Sequence, residues 1–523
     1  MTDGILIGID AGTSVIKSVA FTAAGEQIAS AAIPNSYEML ADGGSEQDMA
    51  RTWADTAKTL KQLSEKIPGL AEKLIAIAVT GQGDGMWLVD KAGDPVAPAW
   101  LWLDARAAPI AEDFIASPAY AEHYQRTGTG VNACQMSMQL AWMTRHRPEV
   151  LARATTAFHC KDWLYFKLTG DRAADPSEAN FTFGQYKSRS YAPAILDLLG
   201  ASDSKRLLPP IVEGTERAGK LTGEAAALTG LKAGTPIVMG YVDVVCTGLG
   251  GGLFDPQGQT GCTIVGSTGM HMRISPSASD VKLNAERSGY TMAFPVPGMY
   301  VQIQSNMAST LNIDWLLDVM RGVLEQQGVE RTRADLLKGM DERLLACAPA
   351  EILYHPYISK AGERGPVMEP SARAMFTGLE MGHGADHMMR AVFEGLCFAS
   401  RDCYAAMGSI PAEVRVTGGA ARSKALRLML ASTLKARVRS VNREEAGAAG
   451  AAMMAAIQQK LYPDMEFCAA QWVDPQLGGV TEPDPHLARV YDSAFPIYKE
   501  TREVMRPVWR KLAEHRREAS NGA

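Results

Sequence analysis

Long apolar runs are missing from these 523 residues. No window approaches the ~18 uncharged apolar residues that a bilayer-spanning helix needs. The N-terminus also lacks a basic segment followed by an apolar stretch and a small-residue cleavage site, so no secretory leader is expected. A basic excess is lacking too. The formal net charge of −6 weighs against a general nucleic-acid or anionic-membrane binder, which needs clustered Lys and Arg. It leaves room for a small anion held in a local pocket. Nor is there a C-x-x-C pair. The eight cysteines (Cys134, Cys160, Cys246, Cys262, Cys347, Cys397, Cys403, Cys468) are scattered. That speaks against a disulfide frame or a zinc site and for reduced thiols packed as small core residues. These absences predict a cytoplasmic protein that engages neither nucleic acid nor membrane.

What is present is ordinary globular material, 46% hydrophobic and 21% charged, the balance of a folded chain. The length exceeds a single core and predicts about two to four domains. The chain turns on the stretch ILIGIDAGTSVIKSVA, Ile5 to Ala20. Two apolar, β-branched runs joined by a glycine-bearing turn read as a hairpin. The turn offers free backbone N–H groups and the hydroxyls of Thr13 and Ser14, donors that suit a phosphate. Asp10 is a hard oxygen ligand at the strand end, suited to Mg²⁺, and Lys17 adds a cation. The local alternative is a hairpin with a merely polar turn.

Further along, Asp48 to Ile67 carries Trp53, Ala57, Leu60 and Leu63 on one helical face. The buried strand Leu74 to Thr80 opens into Gly81-Gln82-Gly83-Asp84-Gly85. Ligands sit at such strand ends in open α/β sheets, so Gln82 and Asp84 either recognise hydroxyls or cap the turn. Met86–Val89 and Val96–Leu101 read as strands. Trp102-Leu103-Asp104-Ala105-Arg106 then gathers an aromatic, an acid and a planar donor fork. That set suits a polyhydroxy compound, or else a buried Trp beside a surface ion pair. Glu112–Leu168 reads as largely helical, and Lys161-Asp162 as a helix-start ion pair or part of a cleft wall. Asp243 ends the run Gly240-Tyr241-Val242-Asp243 before a glycine-rich helix. It serves there as cap or as base.

Several features then recur. Thr260–Val265, Gly266-Ser267-Thr268-Gly269 and Met270–Ile274 form a second hairpin of the opening type, and Arg415-Val416-Thr417-Gly418-Gly419-Ala420 answers Ala78-Val79-Thr80-Gly81. One domain plan used twice around a shared cleft follows, with the halves expected at residues 1–252 and 253–523. The C-terminal stretch Arg516 to Ala523 is expected to fray.

The motif series Asp10-Ala-Gly-Thr-Ser14, Gly240-x-x-Asp243, Gly266-Ser-Thr-Gly269, Gly362-Glu-Arg-Gly-Pro366, Val416-Thr-Gly-Gly-Ala420 and Glu445-Ala-Gly-Ala-Ala-Gly450 resembles the FGGY carbohydrate kinases. It does so in order, in spacing and over almost the whole chain. The resemblance implies an α/β fold of two ribonuclease H-like (actin/hexokinase-type) domains around a central cleft. It also implies phosphorylation of a terminal hydroxyl of a small polyol, with ATP and Mg²⁺. Asp243 would be the base and Asp10 the metal acid. Thr13, Ser14, Lys17, Ser267 and Thr268 would hold phosphates, Gly418, Gly419 and Ala420 would lie against the nucleotide, and Asn306 near its adenosine. Gln82, Asp84, Trp102, Asp104, Arg106 and Asp243 would meet the polyol.

The segments GQGDG, AWLWLDARAAP, HCKDWLYF, HPYISKAGERGP and VTGGAARSKALR are most similar to the branch of the family that acts on erythritol. Glycerol kinases carry Arg-Glu where this chain has Gly83-Asp84, and Gln where it has Val244, which turns the expectation away from glycerol. A pentulose or pentitol kinase is the first alternative and a non-catalytic actin-like sugar sensor the second. The partner is a small-molecule polyol, and a homodimer or homotetramer is allowed for.

Overall fold

The structure is a computed structural model that describes residues 4–521. Its first sheet contains β1 (Ile5–Ala11), β2 (Val15–Thr22), β3 (Gln27–Pro34), β4 (Leu74–Gly81), β5 (Ala218–Lys220) and β6 (Pro236–Met239) in the order β5-β6-β4-β1-β2-β3. β1, β4 and β6 are parallel, while β2, β3 and β5 run antiparallel to their neighbours. The central strands are apolar almost throughout because both faces are covered, as parallel strands require. α1 (Met49–Lys66), capped by Asp48 and burying Trp53, Leu60 and Leu63, covers one face. Each such leucine contributes about 1.5–3 kcal/mol by leaving water. Since β1, β4 and β6 are parallel, the residues at and just beyond their C-terminal ends gather along one edge of the sheet. Those residues are Asp10, Gln82, Asp84 and Asp243.

The second sheet repeats the plan. It contains β7 (Thr260–Val265), β8 (Gly269–Ser275), β9 (Tyr290–Ala293), β10 (Tyr300–Asn306), β11 (Glu413–Thr417), β12 (Arg437–Val441) and β13 (Leu477–Thr481), ordered β9-β10-β8-β7-β11-β12-β13. β7 pairs antiparallel with β8 and parallel with β11, as β1 does with β2 and β4. The two hairpins and the two Thr-Gly strand ends therefore occupy equivalent places, which is the duplication expected from the sequence.

Two helices join the halves. α2 (Asp243–Gly250) follows β6, and α3 (Ala446–Gln458) is alanine, glycine and methionine up to its last two residues. A Cβ at Gly450 would collide with the Cys246 carbonyl, one at Gly250 with the Ala446 carbonyl, and one at Gly8 of β1 with the Ala448 carbonyl. Absent side chains thus let α3 lie directly on both α2 and the first sheet. The largest core cluster accordingly mixes residues of both halves, among them Leu6, Val245, Leu249, Met272, Ile303, Ala452 and Met453.

Some expected elements differ. Only Trp87–Val89 and Ala99–Trp100 form strands, since Pro98 breaks the second run. The helical middle is broken by the strand Thr156–Phe158, which pairs with Trp87–Val89. The final helix, α4 (Pro485–Asn521), continues through the stretch expected to fray, and residues 522–523 lie outside the described residues. No helix among the described residues is long and apolar enough to cross a membrane.

Candidate active site

A cavity of about 270 Å³ lies between the two sheets, room for roughly nine waters. From the first half Thr13, Gln82, Asp84, Trp102, Phe181 and Asp243 line it; from the second, Thr268, Met270, Tyr290, Ser305 and Arg364. Apolar and aromatic walls around a few convergent polar groups suit a small polyhydroxy ligand.

Asp243 is the first residue of α2, and its Oδ1 accepts from the Val244 N–H at 2.6 Å. Burial pushes its carboxyl up to about 8, and the charges of Asp10 and Glu178 add to the rise, while Val244 N–H and Lys161 oppose it. A carboxyl poised there is matched to proton abstraction near neutral pH. Asp10 ends β1 and is raised to about 6 by burial, with Lys17 lowering and Glu445 raising it. A Cβ at Gly447 of α3 would strike its carboxylate, so the small-residue helix lies directly against this acid.

Asp84 holds a left-handed φ of 54°, which Asp tolerates better than most residues. Its backbone N–H donates to Glu178 Oε1 at 2.9 Å. Its carboxylate is only weakly served: Oδ2 accepts from Cys134 Sγ at 3.6 Å and the shielded Oδ1 has no partner. An orphaned acceptor at a cavity wall is what a substrate hydroxyl would satisfy.

Behind these residues lies a buried ion cluster. Lys161 Nζ, fully buried, contacts Asp162 at 3.0 Å, Asp175 at 2.8 Å and also Glu178, and His159 Nδ1 lies 3.2 Å from Asp162. Ser177, whose hydroxyl is held by Asp175, accepts from the Val242 N–H at 3.1 Å. The cluster thus positions both the Asp84 loop, through Glu178, and the approach to Asp243, through Ser177. Lys161-Asp162 is thus an ion pair at a helix start, fully buried, and it does not line the cavity. Removing one member of such a cluster costs about 3–5 kcal/mol, because the others stay buried and charged.

Several expected contacts are already engaged within the protein. Gln82 lines the cavity, but its Oε1 accepts from Thr13 and its Nε2 donates to Gln47, both at 2.9 Å. Trp102 Nε1 donates to Thr13 Oγ1 at 2.8 Å, so one hydroxyl ties the first hairpin to the loops of Gln82 and Trp102. Asp104 and Arg106 do not line the cavity. Arg106 pairs with Asp104 at 2.6 Å and Glu46 at 2.8 Å and stacks 3.5 Å over Trp100. The buried fork spends Nε and one N–H of each terminal nitrogen on these two acids and is turned away from the cavity. Lys17 is paired with Glu445 at 2.8 Å. Asn306 is buried, donating to the Gly365 carbonyl at 2.7 Å and lying 3.0 Å from His271 Nε2, so no free amide group faces a nucleotide.

Ser14 and Ser267 are exposed at the tips of the two hairpins. A second cavity, about 500 Å³, joins Gly419 and Ala420 to the apolar side chains of Ile313, Leu317, Met340 and Phe393. Gly418 precedes them at φ 99°, where a Cβ would meet the Val265 carbonyl. Sequence reasoning leaves Arg364, Tyr290, Thr247 and Glu178 without a role. Arg364 stands inside a recognised motif, whereas Glu178 carries no local signal.

With the geometry described, the family can be stated. The chain matches the model of the FGGY carbohydrate kinase N-terminal domain over residues 5–250 and of the C-terminal domain over residues 261–459, and it belongs to that family. It is 50% identical over 509 residues to an erythritol kinase of Brucella abortus, covering 97% of this chain and 98% of that protein. It is 26% identical to an L-xylulose/3-keto-L-gulonate kinase of Escherichia coli over 97% of this chain and 99% of the other. Among solved structures, xylulose kinase from Rhodospirillum rubrum superposes with a TM-score of 0.87 at 25% identity, covering 97% of this chain and all of that one.

Proposed function

We propose that this protein transfers the γ-phosphoryl group of ATP to a terminal hydroxyl of a small polyol, erythritol foremost. The half-identical Brucella relative supports the choice of acceptor. The observation that carries the chemistry is Asp243, a carboxyl raised to about 8 that faces a polyol-sized cavity between two phosphate-type hairpins. Residues 1–252 form the polyol side with the first hairpin, and residues 253–523 the nucleotide side with the second.

Asp243 takes the proton of the attacking hydroxyl as that oxygen bonds the γ-phosphorus and the bond to the β–γ bridging oxygen breaks, releasing ADP. Ser14, Ser267 and Thr268 meet the β- and γ-phosphates from opposite sides, joined by the backbone N–H of Thr13, whose hydroxyl is held by Gln82 and Trp102. Gly419 and Ala420, just after Gly418, border the second cavity, where Ile313, Leu317, Met340 and Phe393 suit an adenine ring. Phosphoryl transfer needs placement and charge neutralisation more than covalent work. The donor set fits Mg²⁺. Among the described residues no group of three or more His, Cys, Asp or Glu side chains forms a ready cage. Mg²⁺ seeks one or two carboxylates, with phosphate and water completing its shell. Asp10 would hold it, and the ion would neutralise charge on the phosphate oxygens.

The test is ADP release from purified protein supplied with glycerol, erythritol, xylitol, xylulose or ribulose. Highest kcat/KM on erythritol is expected. No rate above background on erythritol alongside turnover of a pentulose would overturn the choice of acceptor.

A further inference from the structure

The motif Gly362-Glu-Arg-Gly-Pro366 has no part in the scheme above, yet Arg364 reaches the polyol cavity from the opposite half of the molecule. Its Nε donates to Ser305 Oγ at 2.9 Å, and both residues line the cavity. The loop beneath is firmly held. Glu363 Oε1 accepts from the backbone N–H groups of Met307 at 3.0 Å, Arg364 at 2.9 Å and Gly365 at 3.3 Å. A Cβ at Gly365 would press on the Ser305 backbone, so the loop lies directly on β10. The guanidinium is therefore presented on a rigid support, its terminal nitrogens forming no hydrogen bond or ion pair with protein among the described residues.

Across the cavity stands Asp84, whose Oδ1 is equally unpartnered. The two side chains form no ion pair with each other, although the charge of Arg364 partly offsets the upward push that burial gives the Asp84 carboxyl. Asp84 follows β4 and Asp243 heads α2, so the two acids enter one cavity from the ends of different strands. A hydroxyl both donates one hydrogen bond and accepts others. A carboxylate and a guanidinium facing each other across a gap complement that pattern.

We propose that Asp84 and Arg364 together bind the hydroxyl at the end of the polyol away from Asp243, with Arg364 the specificity-determining residue contributed by the second half. The far hydroxyl donates to Asp84 and accepts from Arg364, so that polyol length is read by two side chains on separate sheets. Its occupancy also bridges the halves. This rests on the polyol-kinase reading above.

The test compares erythritol with the butane-1,2,3-triol of matching configuration, which keeps the chain but lacks the far hydroxyl. The unaltered protein is expected to favour erythritol at least tenfold in kcat/KM, because the triol leaves two polar groups unpaired. In Arg364→Met the preference collapses toward unity through a raised KM for erythritol, with KM for ATP unchanged. Arg364→Lys keeps part of it, and Ser305→Ala, which frees the guanidinium, weakens it. Should Arg364→Met fail to fold, the Lys and Ala variants decide. Equal losses on both substrates, leaving the preference intact, would overturn the proposal and make Arg364 structural. No turnover of erythritol by the unaltered protein would instead overturn the acceptor assignment on which it stands.

Discussion

At the scale of single residues, the cleft is a place where carboxyl groups are held against their preference. Asp243 keeps its proton up to about 8 instead of its ordinary 3.8. Its folded value lies above its unfolded one, so ionisation costs stability; the cost is absent below the lower value and complete above the upper. Asp243→Asn should therefore lose kcat by about 10²- to 10⁴-fold, the usual worth of a general base. It should also raise Tm, by an amount that grows with pH across that window in thermal denaturation. Loss of activity without that pH-dependent gain would contradict the raised carboxyl. Glu178, itself raised to about 7 by burial, adds to the rise of Asp243. Glu178→Gln should move the acid limb of the kcat/KM profile to lower pH, since removing a negative neighbour eases ionisation of the base. The sequence places Asp10 and Asp243 at strand ends facing one cleft because each is an acid closing an apolar run, Asp10 before a glycine-bearing turn and Asp243 before a glycine-rich helix. It misleads at Asp104 and Arg106. Two residues apart, they look like a recognition fork, but in the structure they satisfy each other. What distinguishes the cases is burial beside Glu46 and Trp100, which no local pattern encodes.

Elements carry the next layer. The six strands of the first sheet and the seven of the second follow from apolar runs bounded by glycine turns, and the hairpin repeat shows which strands correspond. Less legible is why α3 is so rich in glycine and alanine, because the reason lies in two other elements. Gly450 meets the Cys246 carbonyl of α2, a backbone atom that cannot yield, whereas Gly447 meets the movable carboxylate of Asp10. Gly450→Ala should thus destabilise by about 1–3 kcal/mol or more, the range for overpacking, with a lower denaturation midpoint. Gly447→Ala should leave the midpoint nearly unchanged and raise KM for Mg-ATP. Equal effects of the two substitutions on stability would refute this division of labour.

The whole molecule places its two phosphate-type hairpins on separate sheets, so neither half alone holds a complete site. Polyol and nucleotide together should draw the halves inward, seen as a smaller radius of gyration in solution scattering than with either ligand alone. Closure would also exclude water, keeping ATP hydrolysis slow when no polyol is bound. An unchanged radius with both ligands would mean that the cavity is already closed.

The crossing of α3 over β1 and α2 also bears on the order in which the chain is made. Gly8 lies against Ala448, two positions more than four hundred residues apart in synthesis. A nascent chain released only as far as residue 252 has a complete first sheet with one apolar face still uncovered. That face waits for the alanine helix near the far end of translation. A fragment of residues 1–252 should consequently aggregate, and co-expression with residues 253–523 should return it to the soluble fraction. For this protein, late synthesis of a helix in the second half governs when the first half can finish folding.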